Sequence, residues 1–120
     1  MYCLDTYALW EIQFCNEKFS KFLSSDFVIT DWTLAEFYKT LLKEYDKKTA
    51  DYWFKRFKSY SKNVAIEVIV RAVLFQHLNK KQGMSLFDCV GYIFSLENNL
   101  KFVTGDKEFK HREGVVFIQK

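Results

Sequence analysis

Short apolar runs alternate along this chain with longer stretches of helical periodicity. Tyr2-Cys3-Leu4, Phe27-Val28-Ile29-Thr30, Val64-Ala65-Ile66, Phe102-Val103-Thr104 and Val115-Val116-Phe117-Ile118 are apolar or β-branched throughout. Such runs suit strands buried on both faces. Between the first two, Leu9, Ile12, Phe14, Phe19, Phe22 and Leu23 predict helical material over 7–23, divided near Asn16. Leu34, Phe37, Tyr38, Leu41, Leu42 and Tyr45 recur at helical spacing and predict a helix from near Thr33 to near Asp46. A further helix is expected over 49–60, with Trp53, Phe57 and Tyr60 on one face. The stretch from Glu67 to Leu78 reads as helical and is expected to stop at Gly83. Residues 86–96 are apolar nearly all round, which describes a buried helix, and Ser85 is placed to cap it. Asp106 to Phe109 reads as one helical turn.

Strands that alternate with helices predict a parallel sheet covered on both faces. The expected fold is α/β: a three-layer α/β/α sandwich around a mainly parallel sheet of about five strands. No Pro/Gly/Ser-rich stretch divides the 120 residues, so they form a single domain. With 49% apolar residues the chain has enough material for a core without disulfides. Its three cysteines have no C-x-x-C spacing, which disfavours a disulfide framework or a zinc knuckle. Asp5 and Glu11 interrupt the N-terminus before a signal sequence could form. No stretch approaches the roughly 20 apolar residues that cross a bilayer. A cytoplasmic protein with no membrane association is expected. The net charge of +3 is compatible with a polyanionic partner without requiring one.

Four acids carry the chemical information: Asp5, Glu36, Asp88 and Asp106. Asp5 ends the first run. Glu36 falls in the first turn of the helix after the second run, and Asp106 follows the fourth through Thr104-Gly105. In a parallel sheet these three positions face one edge, the carboxyl edge where ligands bind. Asp88 reaches that edge if the helix it opens begins at the same height. Each acid also reads as part of a helix start. Thr33-x-x-Glu36 and Ser85-x-x-Asp88 match capping boxes, and Asp5 and Asp106 suit N-cap positions. Together they point further. Asp88 sits among Leu86, Phe87, Cys89, Val90, Tyr92, Ile93 and Phe94, where a charge needs compensation. Carboxylates gathered at one edge repel one another, and a divalent cation removes that conflict. Oxygen donors suit Mg²⁺ or Mn²⁺ more than Zn²⁺. Such a centre can hydrolyse a phosphodiester without a side-chain nucleophile.

The blocks Tyr2-Cys3-Leu4-Asp5-Thr6, Val28-Ile29-Thr30 through Leu34-Ala35-Glu36, Ser85-Leu86-Phe87-Asp88 and Leu100 through Thr104-Gly105-Asp106-Lys107-Glu108-Phe109 resemble, in order and spacing, the motifs of PIN domains. The resemblance spans nearly the whole chain. It implies a Mg²⁺- or Mn²⁺-dependent endoribonuclease in which Asp5, Glu36, Asp88 and Asp106 are catalytic. Asp5, Asp88 and Asp106 would be metal ligands, with Thr6 and Thr104 in support. The length resembles VapC-type toxins, which implies an RNA substrate, a small antitoxin partner and a homodimer. Two positions depart from the pattern. Tyr7 stands where a small polar residue is common, and Cys89 where alanine is.

Lys107, Lys110 and Arg112 follow Asp106 closely and are candidates for phosphate contacts, or else form a solvated basic loop. The ring-rich segment 51–60 reads mainly as an amphipathic helix, with a partner surface as its functional alternative. His77 and His111 form no metal spacing. The competing functions are an RNA-processing nuclease without an antitoxin, a DNA-directed nuclease, and a non-catalytic α/β interaction module.

Overall fold

The computed structural model describes residues 1–119. Five strands form one sheet: β1 (Tyr2–Leu4), β2 (Phe27–Thr30), β3 (Ser61–Lys62), β4 (Lys101–Thr104) and β5 (Val115–Phe117). Their order across the sheet is β3-β2-β1-β4-β5, and every adjacent pair is parallel. All five strands therefore end at one edge. Six α-helices accompany them: α1 (Thr6–Gln13), α2 (Glu17–Ser20), α3 (Asp31–Glu44), α4 (Lys47–Phe57), α5 (Ile66–Leu78) and α6 (Leu86–Glu97). Short 3₁₀ turns extend α2, α4 and the segments after α5 and β4.

Strand alternation sorts the core into two sides. Leu4 pairs in register with Val103, and both join Ala8 and Leu9 of α1, Phe37 and Leu41 of α3 and Phe57 of α4. Cys3 pairs with Phe102 one residue back, on the other face. Phe102 packs with Ala72 of α5 and with Cys89, Val90 and Tyr92 of α6, and Cys3 with Val68 and Phe94. This is the expected three-layer α/β/α sandwich.

Three boundaries differ from the expectation. The third strand is Ser61–Lys62, not Val64–Ile66, because β2 extends only far enough to pair Ile29 with Ser61 and Thr30 with Lys62. Val64 instead packs under α5 and α6 as an apolar contact. Helix α3 begins at Asp31, since Thr30 is its cap: the Thr30 hydroxyl oxygen accepts from the Thr33 amide at 3.0 Å. Thr33 caps nothing, and Glu36 lies in the second turn rather than the first. Gly83 ends a 3₁₀ turn, Lys80–Gln82, at φ +68°, a left-handed conformation that favours glycine.

Helices α5 and α6 form an antiparallel hairpin. The Arg71 guanidinium pairs with Glu97 at the far end of α6, at 2.6 Å, while the Gln76 amide donates to the Met84 carbonyl near the start of α6. The hairpin lifts the N-terminus of α6, and with it Asp88, to the carboxyl edge of the sheet.

Candidate active site

Three of the four acids line one open pocket of about 460 Å³ at that edge, and the fourth is buried beside it. The lining is Thr6, Tyr7, Trp10, Glu36, Thr40, Glu44, Ser85, Asp88 and Asp106. Asp5 is only 1% exposed.

The bland readings of the acids are partly correct, and they help to build the site. Asp5 is the N-cap of α1, its Oδ1 accepting from the Ala8 amide at 2.8 Å. Asp106 is the N-cap of the 3₁₀ turn Lys107–Phe109, its Oδ1 accepting from the Glu108 amide at 3.1 Å. Ser85 caps α6 by accepting from the Asp88 amide at 3.1 Å, and its hydroxyl also faces the Asp88 carboxylate. Capping uses one oxygen of Asp5. The other, Oδ2, is buried with no hydrogen-bond partner among the described residues. A buried carboxylate oxygen without a partner carries a desolvation penalty.

Thr104 ties two of the acids together. Its hydroxyl oxygen accepts from the Asp106 amide at 3.0 Å, and its side chain also faces Asp5, where it favours the charged carboxylate. Thr104 is completely buried. On the opposite wall the Thr6 hydroxyl donates to Glu36 Oε1. That bond fixes Glu36 of α3 against the first residue of α1.

Burial pushes the Asp5 carboxyl well above the ordinary value, and the negative charges of Asp88 and Glu36 push it the same way. Asp88 is raised from 3.8 to about 6, first by burial and then by the charge on Glu36. The Ser85 and Thr104 side chains partly oppose these shifts. Asp5 and Asp88 thus lie in the field of neighbouring carboxylates, and ionisation of the two is disfavoured. Among the described residues no three His, Cys, Asp or Glu side chains are grouped so as to hold one metal ion as placed. The donor set is nonetheless one for a hard cation: carboxylates, hydroxyls and an orphaned buried oxygen. Nucleophilic thiol chemistry has no support here. Burial raises Cys3 to about 12 and Cys89 to about 11.

The basic candidates separate. Arg112 is engaged elsewhere: its Nη2 donates to Asn79 Oδ1 at 3.0 Å and Gln82 Oε1 at 2.8 Å, and its guanidinium lies 4.8 Å from the Phe75 ring centre. Lys110 Nζ sits 5.5 Å from the Phe117 ring centre. Lys107 is exposed beside Asp106, and none of the three lines the pocket. Sequence reasoning missed Trp10, Thr40 and Glu44. The signal was available: Glu36, Thr40 and Glu44 stand four residues apart on one stripe of α3, and Thr6 and Trp10 stand four apart on α1.

No protein-family profile matches the chain, and no curated protein matches its sequence. Solved structures do match its fold. A chain of a toxin–antitoxin complex from Klebsiella pneumoniae is 18% identical with a TM-score of 0.73, covering 97% of this chain and 96% of its own. VapC20 of Mycobacterium tuberculosis, a sarcin–ricin-loop-cleaving toxin, is 11% identical with a TM-score of 0.80, covering 100% and 98%. VapBC2 of Rickettsia felis, solved with a fragment of its promoter DNA, is 17% identical with a TM-score of 0.74, covering 98% and 96%. The chain has the PIN-like fold of VapC toxins over essentially its full length.

Proposed function

We propose that the protein is a metal-dependent endoribonuclease that acts in the cytoplasm as the toxin of a toxin–antitoxin pair. One observation carries the reading: a buried, half-satisfied Asp5 shares a field with Asp88 at the carboxyl edge of a PIN-like sheet. An interaction module has no use for that penalty. Caps account for Asp5, Ser85 and Asp106, but not for the raised carboxyl of Asp88 or for Glu36 on the pocket wall.

Asp5, Asp88 and Asp106 would hold Mg²⁺ or Mn²⁺, with Glu36 completing the site. Neighbouring carboxylates repel one another, and a divalent charge between them reverses the sign of that interaction. When bound, the metal supplies a water of lowered pKa and a counter-charge for the scissile phosphate. The protein's own groups prepare the place. Thr104 keeps Asp5 and Asp106 in fixed relation, Thr6 aims Glu36, and the walls of α1 and α3 confine the strand. Lys107 is the basic candidate that stays free to meet a phosphate.

Two partners belong to the proposal. A small antitoxin would restrain the activity, as the fold shared with toxin–antitoxin complexes suggests. A homodimer would cover α5, whose exposed face carries Ile66, Val70, Val73, Leu74 and Leu78, with Leu78 71% exposed. No helix among the described residues is long and apolar enough to cross a membrane.

The test is cleavage of end-labelled single-stranded RNA by the purified protein in Mg²⁺, Mn²⁺ or EDTA, beside induced expression in growing cells. Metal-dependent cleavage with growth arrest is the expected outcome. Cleavage without arrest moves the reading to RNA processing. Neither outcome would leave the interaction module.

A further inference from the structure

The pocket extends past the acids to an outer wall whose side chains have no individual role in the reaction described above. That wall is Tyr7 and Trp10 of α1 and Thr40 and Glu44 of α3. Trp10 is half-buried and held by two other rings. It stacks on Tyr45 at 6.0 Å between ring centres and 23° between planes, and meets Phe14 edge-on at 5.2 Å and 82°. An aromatic surface fixed in this way loses little side-chain freedom when a flat ligand docks on it.

The polar groups beside Trp10 are acceptors. The Thr40 hydroxyl spends its proton on the Glu36 carbonyl at 3.1 Å, so only its lone pairs remain for a ligand. Glu44 is exposed at the end of α3, and a carboxylate accepts only. A ligand suited to this wall has a planar ring and an N–H donor on its edge. Unpaired adenine, cytosine and guanine have both, through their exocyclic amino groups. Uracil has a single edge N–H, at N3, and it is flanked by two carbonyls that a wall of acceptors disfavours.

We propose that Trp10, Thr40 and Glu44 form a subsite for one unpaired nucleobase bearing an exocyclic amino group, adjoining the acidic end of the pocket. The subsite deepens the nuclease reading and rests on it for the direction of the strand. A pocket of about 460 Å³ holds a nucleotide-sized ligand with its phosphate at the acids and its base on the indole.

The experiment is calorimetric binding of adenosine, cytidine, guanosine and uridine 5′-monophosphates, and of ribose 5-phosphate, to the wild-type protein with Mn²⁺. None of these contains a phosphodiester, so binding is read apart from cleavage. The three amino-bearing nucleotides should bind more tightly than uridine monophosphate, and ribose 5-phosphate most weakly. Trp10→Leu should weaken the nucleotides roughly 5- to 100-fold toward the ribose 5-phosphate value. Trp10→Phe keeps a ring in the packing against Phe14 and Tyr45 and should retain most of the affinity. Glu44→Gln, at an exposed position, should erase the amino preference without unfolding risk.

Equal binding of ribose 5-phosphate and the nucleotides overturns the subsite, as does no nucleotide binding at all. Binding of a basic peptide that depends on Trp10, in place of the nucleotides, assigns the wall to a protein partner and also overturns it. The two readings fail separately. RNA cleavage with base-independent binding removes only the subsite, and base-dependent binding without cleavage removes only the nuclease.

Discussion

The ring of Tyr7 lies directly on the backbone of Gly105: a methyl group at Gly105 would stand 2.1 Å from Tyr7 Cε1. Position 105 is therefore glycine for reasons of approach. The contact joins α1 to the turn that carries Asp106, and Tyr7 also leans on Phe19 at 5.8 Å between ring centres. The residue that departs from the PIN pattern thus helps position one of the acids. Gly105→Ala should lose about 1–3 kcal/mol of stability by overpacking. Adding Tyr7→Ser should recover part of that loss, because the two changes share one contact. Urea unfolding of the four combinations checks this, and a Gly105→Ala protein as stable as wild type contradicts the contact.

Asp88 gives a prediction of unusual sign. Its carboxyl is raised in the fold, from 3.8 to about 6, so the folded state holds the proton more tightly than the unfolded state. The stability linked to it is complete below about pH 4 and is lost as pH rises through 6. Asp5 shifts in the same direction. In EDTA at pH 7.5, Asp88→Asn should therefore melt several degrees above wild type, a gain of about 1–2 kcal/mol. A lower Tm for Asp88→Asn would show that its carboxylate is satisfied without a metal.

Divalent cations should act on the same groups. Mn²⁺ should raise the Tm of the wild type at pH 7.5, since it binds the folded state. The gain should shrink as pH falls below about 6, where protons compete for Asp88. It should be small or absent in Asp88→Asn. Scanning calorimetry at pH 5.5 and 7.5 separates this from general salt effects, which Na⁺ at equal ionic strength reports.

Arg112 should prove to be a stability residue. Its bonds to Asn79 and Gln82 and its position over Phe75 tie the segment after β4 to the end of α5. Arg112→Met should lower stability by about 1–2 kcal/mol while leaving KM for RNA unchanged. A rise in KM with unchanged stability would return Arg112 to the phosphate path.

The dimer proposal has its own reading. Val70 is 60% exposed in the middle of the α5 face. Val70→Glu should convert a dimer to a monomer in light scattering. A wild-type monomer at tens of micromolar would set the dimer aside.

The sequence made the sheet and the acids legible because their signals are local. Phe27–Thr30 reads as a buried strand by composition alone, and Asp5 and Asp106 follow their strands directly. What it hid depends on tertiary register. Val64 is apolar like a strand residue, yet the pairing partner on β2 ends too soon, and the apolar side chain serves the α5–α6 hairpin instead. Thr30 outcompeted Thr33 for the cap because β2 delivers it to the helix start in extended conformation, a one-turn ambiguity that spacing does not resolve. Asp88 was the uncertain member, and the hairpin that raises it rests on Arg71–Glu97 and Gln76–Met84, contacts 26 and 8 residues apart. Trp10 and Glu44 were visible as stripe positions but carry no motif, so only the pocket reveals them.

The most direct measurement pairs stability with activity in one variant. Asp88→Asn is prepared beside wild type, and each is assayed for RNA cleavage in Mn²⁺ and for Tm in EDTA. The account predicts a variant that is folded, at least as stable as wild type without metal, and devoid of cleavage. A variant that cuts RNA as the wild type does would contradict it, and would place the reaction, if there is one, outside the acidic pocket.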